Sequence, residues 1–202
     1  MLRGSGNFAR FCITLLLITL PAIAQDEFSL RIAYGKSDQN DLGEIISMQP
    51  SAHPSNTAVV GVEGGMLIDS NFYGLQLWLK GGVNRFLENG YRDDFHEMTL
   101  YLKLYYHLYM FRIGLGDGIS YASNIPYVEE LEAQSENDNN SYALNYLEIS
   151  LDLDIGELIG YNLLNRTYVG YALKHRSGAY GLINGVKRGG SNYNMFYIER
   201  DF

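Results

Sequence analysis

The stretch Tyr146–Ile155 alternates without a break. Leu147, Ile149, Leu151, Leu153 and Ile155 fall on one parity, and Tyr146, Glu148, Ser150, Asp152 and Asp154 on the other. Successive side chains of a β-strand point to opposite faces. As a strand, this stretch therefore has an aliphatic face backed by three carboxylates. A solvated sandwich strand could carry such a pattern. It suits better a strand that spans a membrane, apolar toward lipid and polar toward a lumen.

The same period recurs along the chain. Phe28, Leu30, Ile32 and Tyr34 alternate with Ser29, Arg31 and Ala33, and Tyr73, Leu75, Leu77 and Leu79 with Gly74, Gln76, Trp78 and Lys80. Met98, Leu100, Leu102, Leu104 and Tyr106 alternate with Thr99, Tyr101, Lys103, Tyr105 and His107, and Phe111, Ile113 and Leu115 with Arg112, Gly114 and Gly116. Ala58–Ile68 is a weaker strand, apolar on both faces. Two more strands flank the Gly-rich loop within Arg166–Phe202, which makes eight. No helical period of useful length follows Gln25. The connections at Lys36–Thr57, Phe86–His96, Ser120–Ser141 and Gly178–Gly190 are long and polar. Those near Asp69–Asn71 and Leu108–Met110 are short, with a longer one at Gly156–Asn165. Open sheet edges are not tolerated in lipid, so the sheet should close. Seventeen tyrosines, many near strand ends, suit an interfacial aromatic girdle. The expected fold is all-β: an eight-stranded antiparallel transmembrane β-barrel over residues 25–202. A soluble periplasmic β-sandwich or lipocalin-like barrel is the alternative.

Residues 1–24 fit a signal peptide. Arg3 and Arg10 precede the apolar run Phe11–Leu20, and Ala22-Ile23-Ala24 is a small-residue cleavage pattern. The run is short for a membrane anchor, and Pro21 breaks it. The single cysteine, Cys12, lies in this leader, so residues 25–202 hold no disulfide and no thiol nucleophile. The leader carries two Arg and no acid; without it the formal charge of −8 becomes −10. That balance argues against nucleic acid as a partner.

In the seventh strand Thr167, Val169, Tyr171 and Leu173 share the lipid-facing parity. Continuing it gives His175 and Ser177 at the strand's outer end. Across the last loop, Asn192 shares the parity of Asn194, Phe196, Ile198 and Phe202. A nucleophile, a base and an orienting amide are thus expected on the external wall. A serine hydroxyl attacks only when an imidazole takes its proton, and a third group must fix that imidazole. The Gly178 and Ala179 N–H groups are candidate donors to an oxyanion.

These residues resemble the signature of the outer-membrane lipid A 3-O-deacylase family. That family carries His-x-Ser-Asn at the end of the seventh strand, then Gly-x-Glu or Gly-x-Asn and an aromatic last strand. The matching residues are His175, Ser177 and, counted from Gly190, Asn192. Gly178 stands where the family usually has Asn, and Asn192 where its best-known form has an acid. Counting from Tyr193 instead would put Ser191 in the third position; parity favours Asn192. The resemblance implies an eight-stranded barrel in the Gram-negative outer membrane acting as a serine esterase on lipid A (lipopolysaccharide), with no metal or cofactor. It leaves homodimer formation open. Lys174, Arg176, Lys187 and Arg188 surround the site and are candidate contacts for lipid A phosphates. The alternative function is a non-catalytic barrel that uses its loops for adhesion or envelope integrity. The acidic stretch Glu129, Glu130, Glu132, Glu136 and Asp138 is expected as a solvated loop, calcium being the lesser reading. Inward Glu148, Asp152 and Asp154 are expected to pair with Arg31, Lys80, Lys103 and Arg112.

Overall fold

The computed structural model describes residues 27–187 and 190–202; the expected leader (1–24) and Arg188 lie outside them. Eight strands form: β1 (Phe28–Asp38), β2 (Ala58–Phe72), β3 (Leu75–Leu87), β4 (Phe95–Leu108), β5 (Phe111–Ala122), β6 (Ala143–Asp154), β7 (Thr167–Ser177) and β8 (Gly190–Asp201). Each pairs antiparallel with the next. β8 returns to β1 from Ser29↔Asp201 to Asp38↔Asn192, closing the barrel. Closure removes both edges, so every strand has two hydrogen-bonded neighbours.

The alternation sorts side chains as expected. Leu30, Ile32, Val62, Leu100, Leu102, Ile113, Leu115, Leu151, Val169 and Ile198 are all exposed on the outer wall, and Phe196 is 65% exposed. A continuous apolar surface of this kind is unfavourable in water and stable against lipid tails. Among the described residues no helix is long and apolar enough to cross a membrane; any crossing is made by strands.

The lumen is filled rather than open. Arg31 meets Glu148 at 2.8 Å, Glu199 at 2.6 Å and Glu63 at 3.2 Å, and Lys103 also pairs with Glu148. Arg112 meets Asp152 at 2.7 Å and Glu199 at 2.8 Å. Buried charges persist when they are paired and hydrogen-bonded, and Tyr101, Tyr105, Tyr146 and Tyr197 supply hydroxyls to this network. Glycines of β5 make room for the rings. A Cβ on Gly116 would lie 2.9 Å from Tyr101 Cδ2, and one on Gly114 2.8 Å from Tyr105 Cε1.

Several details depart from the sequence expectation. Lys80 pairs with Glu199 at 2.7 Å rather than with an acid of β6. Asp154 does not join the lumen network. It caps α3 (Ile155–Ile159), accepting from the N–H groups of Glu157 and Arg166. The β2–β3 turn lies at Tyr73–Gly74 (φ 52° and 85°), not at Asp69–Asn71, because β2 shifts register beyond Leu67 and then continues to the pair Phe72↔Leu75. A type I′ two-residue hairpin turn needs positive φ at both positions, and glycine supplies one of them at no steric cost. The connections also contain helix. Besides α3 and a short 3-10 turn (Asn162–Leu164), α1 (Leu42–Ile46) lies in the β1–β2 loop and α2 (Tyr127–Glu136) in the β5–β6 loop.

The acidic stretch is this α2, which lies over the long-loop end of the lumen. Val128, Glu129 and Ala133 are buried beneath it. Glu129 is therefore not a solvated loop charge. Its carboxylate lies 3.7 Å from the Arg176 guanidinium, and burial raises it above the usual carboxylate range.

Candidate active site on the outer wall

β7 and β8 position the site through register. His175 stands directly opposite Asn192. Both have outward parity, and both are largely covered by the β1–β2 loop that folds over this part of the wall. His175 Nδ1 lies 2.7 Å from Asn192 Oδ1. The Asn192 amide nitrogen in turn donates to the Asn40 carbonyl at 2.9 Å. That second bond fixes the amide, because turning it over would set two acceptor oxygens against each other. With Oδ1 committed as the acceptor, Nδ1 must carry the imidazole proton, and Nε2 is left with a free lone pair. The tautomer of a histidine is set by the partner of its other nitrogen. Nε2 is therefore the nitrogen able to accept a proton.

Ser177 ends β7 on the same parity, two residues and roughly 7 Å of strand beyond His175. The Ala179 N–H points toward its hydroxyl oxygen at 3.5 Å. The chain then turns sharply. The Gly178 carbonyl accepts from Gly181 and Ile183, with Ala179 and Tyr180 in the left-handed region (φ 48° and 56°). Gly178 is pressed onto the returning loop: a Cβ there would fall 2.0 Å from the Val186 carbonyl oxygen. An Asn side chain at this position has no room while the loop is so folded.

The remaining expected site residues divide. Lys174 and Arg176 have lumen parity and are buried there. Lys174 pairs with Glu97; Arg176 lies 3.6 Å from Glu97 and 3.7 Å from Glu129. The expectation that these two meet substrate phosphates is corrected by the same alternation that sends His175 and Ser177 outward. Lys187 is exposed on the β7–β8 loop, its backbone N–H donating to Asp138. Ser191, the alternative third residue, faces inward and donates to Glu129 at 3.3 Å, which supports Asn192 in that place.

The Asn40 carbonyl was not foreseen. Nothing near Asn40 marks it, and only barrel closure brings the β1–β2 loop beside β8. A cavity of about 360 Å³ opens next to it, lined among others by Asp38, Asn40, Asp41, Glu132, Glu136 and Asn192. Burial, with the nearby carboxylates of Asp41, Glu129 and Glu136, pushes Glu132 up to about 7. An acidic cavity disfavours a phosphate. Among the described residues no group of three or more His, Cys, Asp or Glu is arranged to hold a metal ion.

Neither a protein-family model nor a curated protein matches this sequence. Among solved structures, the fold is similar to the outer membrane enzyme PagL, with a TM-score of 0.51 and 12% identity over 85% of this chain and 98% of that one. It is similar to the same degree to the N-terminal β-barrel domain of Pseudomonas aeruginosa OprF, with a TM-score of 0.51 and 9% identity over 89% and 99% of the two chains. At such identities the likeness carries the fold alone. Together with the apolar belt and the filled polar lumen it defines the class: an eight-stranded β-barrel of the outer-membrane type.

Proposed function

We propose that this barrel is a serine esterase of the outer membrane that removes an ester-linked acyl chain from lipid A. The observation that carries the reading is the His175–Asn192 pair on the outer wall, with the Asn192 amide held by the Asn40 carbonyl, an arrangement that favours the tautomer a general base needs. Ser177 lies two residues further along the same face. The strand face that carries these residues is the lipid-facing one, where an acylated substrate resides, and one of the structures sharing the fold is an outer membrane enzyme.

In this mechanism His175 Nε2 takes the Ser177 hydroxyl proton as Oγ bonds to the ester carbonyl carbon. The carbonyl oxygen takes up the negative charge and is met by the Gly178 and Ala179 N–H groups. The ester C–O bond then breaks, and the proton on Nε2 passes to the departing alkoxide oxygen of the deacylated lipid A. Water repeats the sequence on the acyl-serine and releases a fatty acid. Asn192 holds the imidazole throughout but brings no negative charge to the imidazolium. Lys187 and Arg188 remain the candidate phosphate contacts.

Mass spectrometry of lipid A tests the reading. Cells expressing the protein should lose one acyl chain, and Ser177→Ala should slow that loss by at least ~1,000-fold. Identical lipid A in both, unchanged from cells lacking the protein, would sink it. The second reading, a non-catalytic barrel, is favoured by the Ala179 N–H donating to the Ser177 hydroxyl oxygen at 3.5 Å, which gives the serine a local structural partner.

A further inference from the structure

The row that holds His175 and Asn192 continues onto a third strand. Asn192 stands opposite His175 on β7 and opposite Asp38 on β1. Asp38 has outward parity like the other two, yet it is only 5% exposed because the β1–β2 loop covers it. Its carboxylate accepts from three neutral donors. Oδ1 accepts the Asn40 N–H at 2.8 Å; Oδ2 accepts the Ser51 N–H at 2.9 Å and the Asn194 side-chain amide at 2.5 Å. Among the described residues no lysine or arginine lies within ion-pairing distance of it. A carboxylate held by three hydrogen bonds is geometrically fixed.

One of these bonds fixes the loop beside Asn192. Asp38 Oδ1 closes a turn over Gln39 and Asn40, the local hydrogen bond typical of aspartate. The Asn40 side chain is anchored as well, donating to the Gln49 carbonyl at 2.8 Å. With its N–H and side chain both tied, the Asn40 carbonyl is aimed at the Asn192 amide. That carbonyl decides which way the Asn192 amide faces, and the amide decides which imidazole nitrogen carries the proton. An asparagine in place of Asp38 would set an NH₂ group against at least one of the three donors.

We propose that Asp38 is the positioning acid of the site: it fixes the Asn40 turn, which orients Asn192 and thereby sets the tautomer of His175. An acid on the first strand then acts on the site through a backbone carbonyl and the Asn192 amide. This inference rests on reading His175 as the general base.

The test reads the tautomer directly, apart from activity. Protein with ¹⁵N-labelled histidine is folded in detergent micelles, and the imidazole nitrogens of His175 are assigned by their loss in His175→Gln. Wild type should show a protonated Nδ1 and a bare Nε2. Asp38→Ala should shift His175 to a mixture or to the Nε2-protonated form, with barrel assembly verified by heat-modifiable gel mobility. Should alanine fail to assemble, the isosteric Asp38→Asn serves, with a smaller shift in the same direction. An unchanged tautomer in an assembled variant would overturn the proposal. In parallel, hydrolysis of purified lipid A should fall ~10–100-fold in kcat for Asp38→Ala with little change in KM, as expected for a misplaced base. A tautomer shift in a protein whose wild type leaves lipid A intact would uphold the link and sink the esterase reading. An active wild type whose tautomer ignores Asp38 would do the reverse.

Discussion

At the scale of single residues the site turns on Asn192. Placing an acid there looks like an improvement, and local geometry argues the opposite. In Asn192→Asp the oxygen that replaces Nδ2 would face the Asn40 carbonyl, and the new carboxylate would stand opposite Asp38 in register. Two carboxylates sharing a site cannot both ionise freely. The expected outcome is a loss of lipid A hydrolysis of about 10-fold or more, rather than a gain. Asn192→Asp combined with Asp38→Asn should recover part of it, measured as product per hour from purified lipid A. How much of the site was legible at this scale depends on what each residue needs. The outward placement of His175, Ser177 and Asn192 follows from parity alone. The same parity sends Lys174 and Arg176 into the lumen, and grouping them with the site by proximity in sequence overrode it. Asp38 could not be found, because its relation to Asn192 exists only once the first and last strands pair across 154 positions of chain.

At the scale of elements, strands were legible and helices were not. A strand of this barrel writes its two environments into alternate residues. The helix α2 buries only Val128, Glu129 and Ala133, so its apolar signal is lost among acids. Its C-terminus is marked only by Asn137 in the left-handed region (φ 50°), whose N–H donates to the Gln134 carbonyl. The turn Tyr73–Gly74 was hidden for a similar reason. Asp69, Ser70 and Asn71 have turn composition, but they lie in a bulged strand end that protrudes beyond the barrel. The docked position of α2 carries a pH dependence. Glu132 is partly buried, accepts the Gly190 N–H, and faces Asp41 from the β1–β2 loop and Glu129 and Glu136 from its own helix; Asp38 and His53 line the same cavity. Its carboxyl is pushed up to about 7 when docked, above the ordinary glutamate value of 4.5. Undocking therefore releases a proton. Docking is strongest below the free value and weakens as pH rises through 7. Hydrogen exchange of residues 127–136, corrected for intrinsic rates, should show more protection at pH 5.5 than at pH 8. Glu132→Gln should flatten that difference; a variant that keeps the full difference would place its origin elsewhere.

The whole molecule is a cylinder whose outside is stabilised by lipid and whose inside is held by paired charge. Glu199 is the centre of that interior, accepting Arg31 at 2.6 Å, Lys80 at 2.7 Å and Arg112 at 2.8 Å from three different strands while fully buried. Removing one partner of a buried ionic cluster leaves the others desolvated and uncompensated, at a cost of ~3–5 kcal/mol. Glu199→Gln keeps the shape and removes the charge, so it isolates this effect from packing. The exposed pair Arg85–Asp94 at the barrel's rim is the control: both partners stay in contact with solvent, and Asp94→Asn should barely move the unfolding midpoint. The chain supplies its own reporter. Its single tryptophan, Trp78, is buried in the lumen against Leu67 and Tyr105, so opening of the barrel exposes it to water. In urea titrations in lipid vesicles followed by Trp78 fluorescence, Glu199→Gln should lower the unfolding free energy by the stated ~3–5 kcal/mol with an unchanged slope. A loss no larger than that of Asp94→Asn would mean that water or counter-ions reach the lumen and screen its charges. The barrel would then be held mainly by its backbone ladder and its lipid-facing surface.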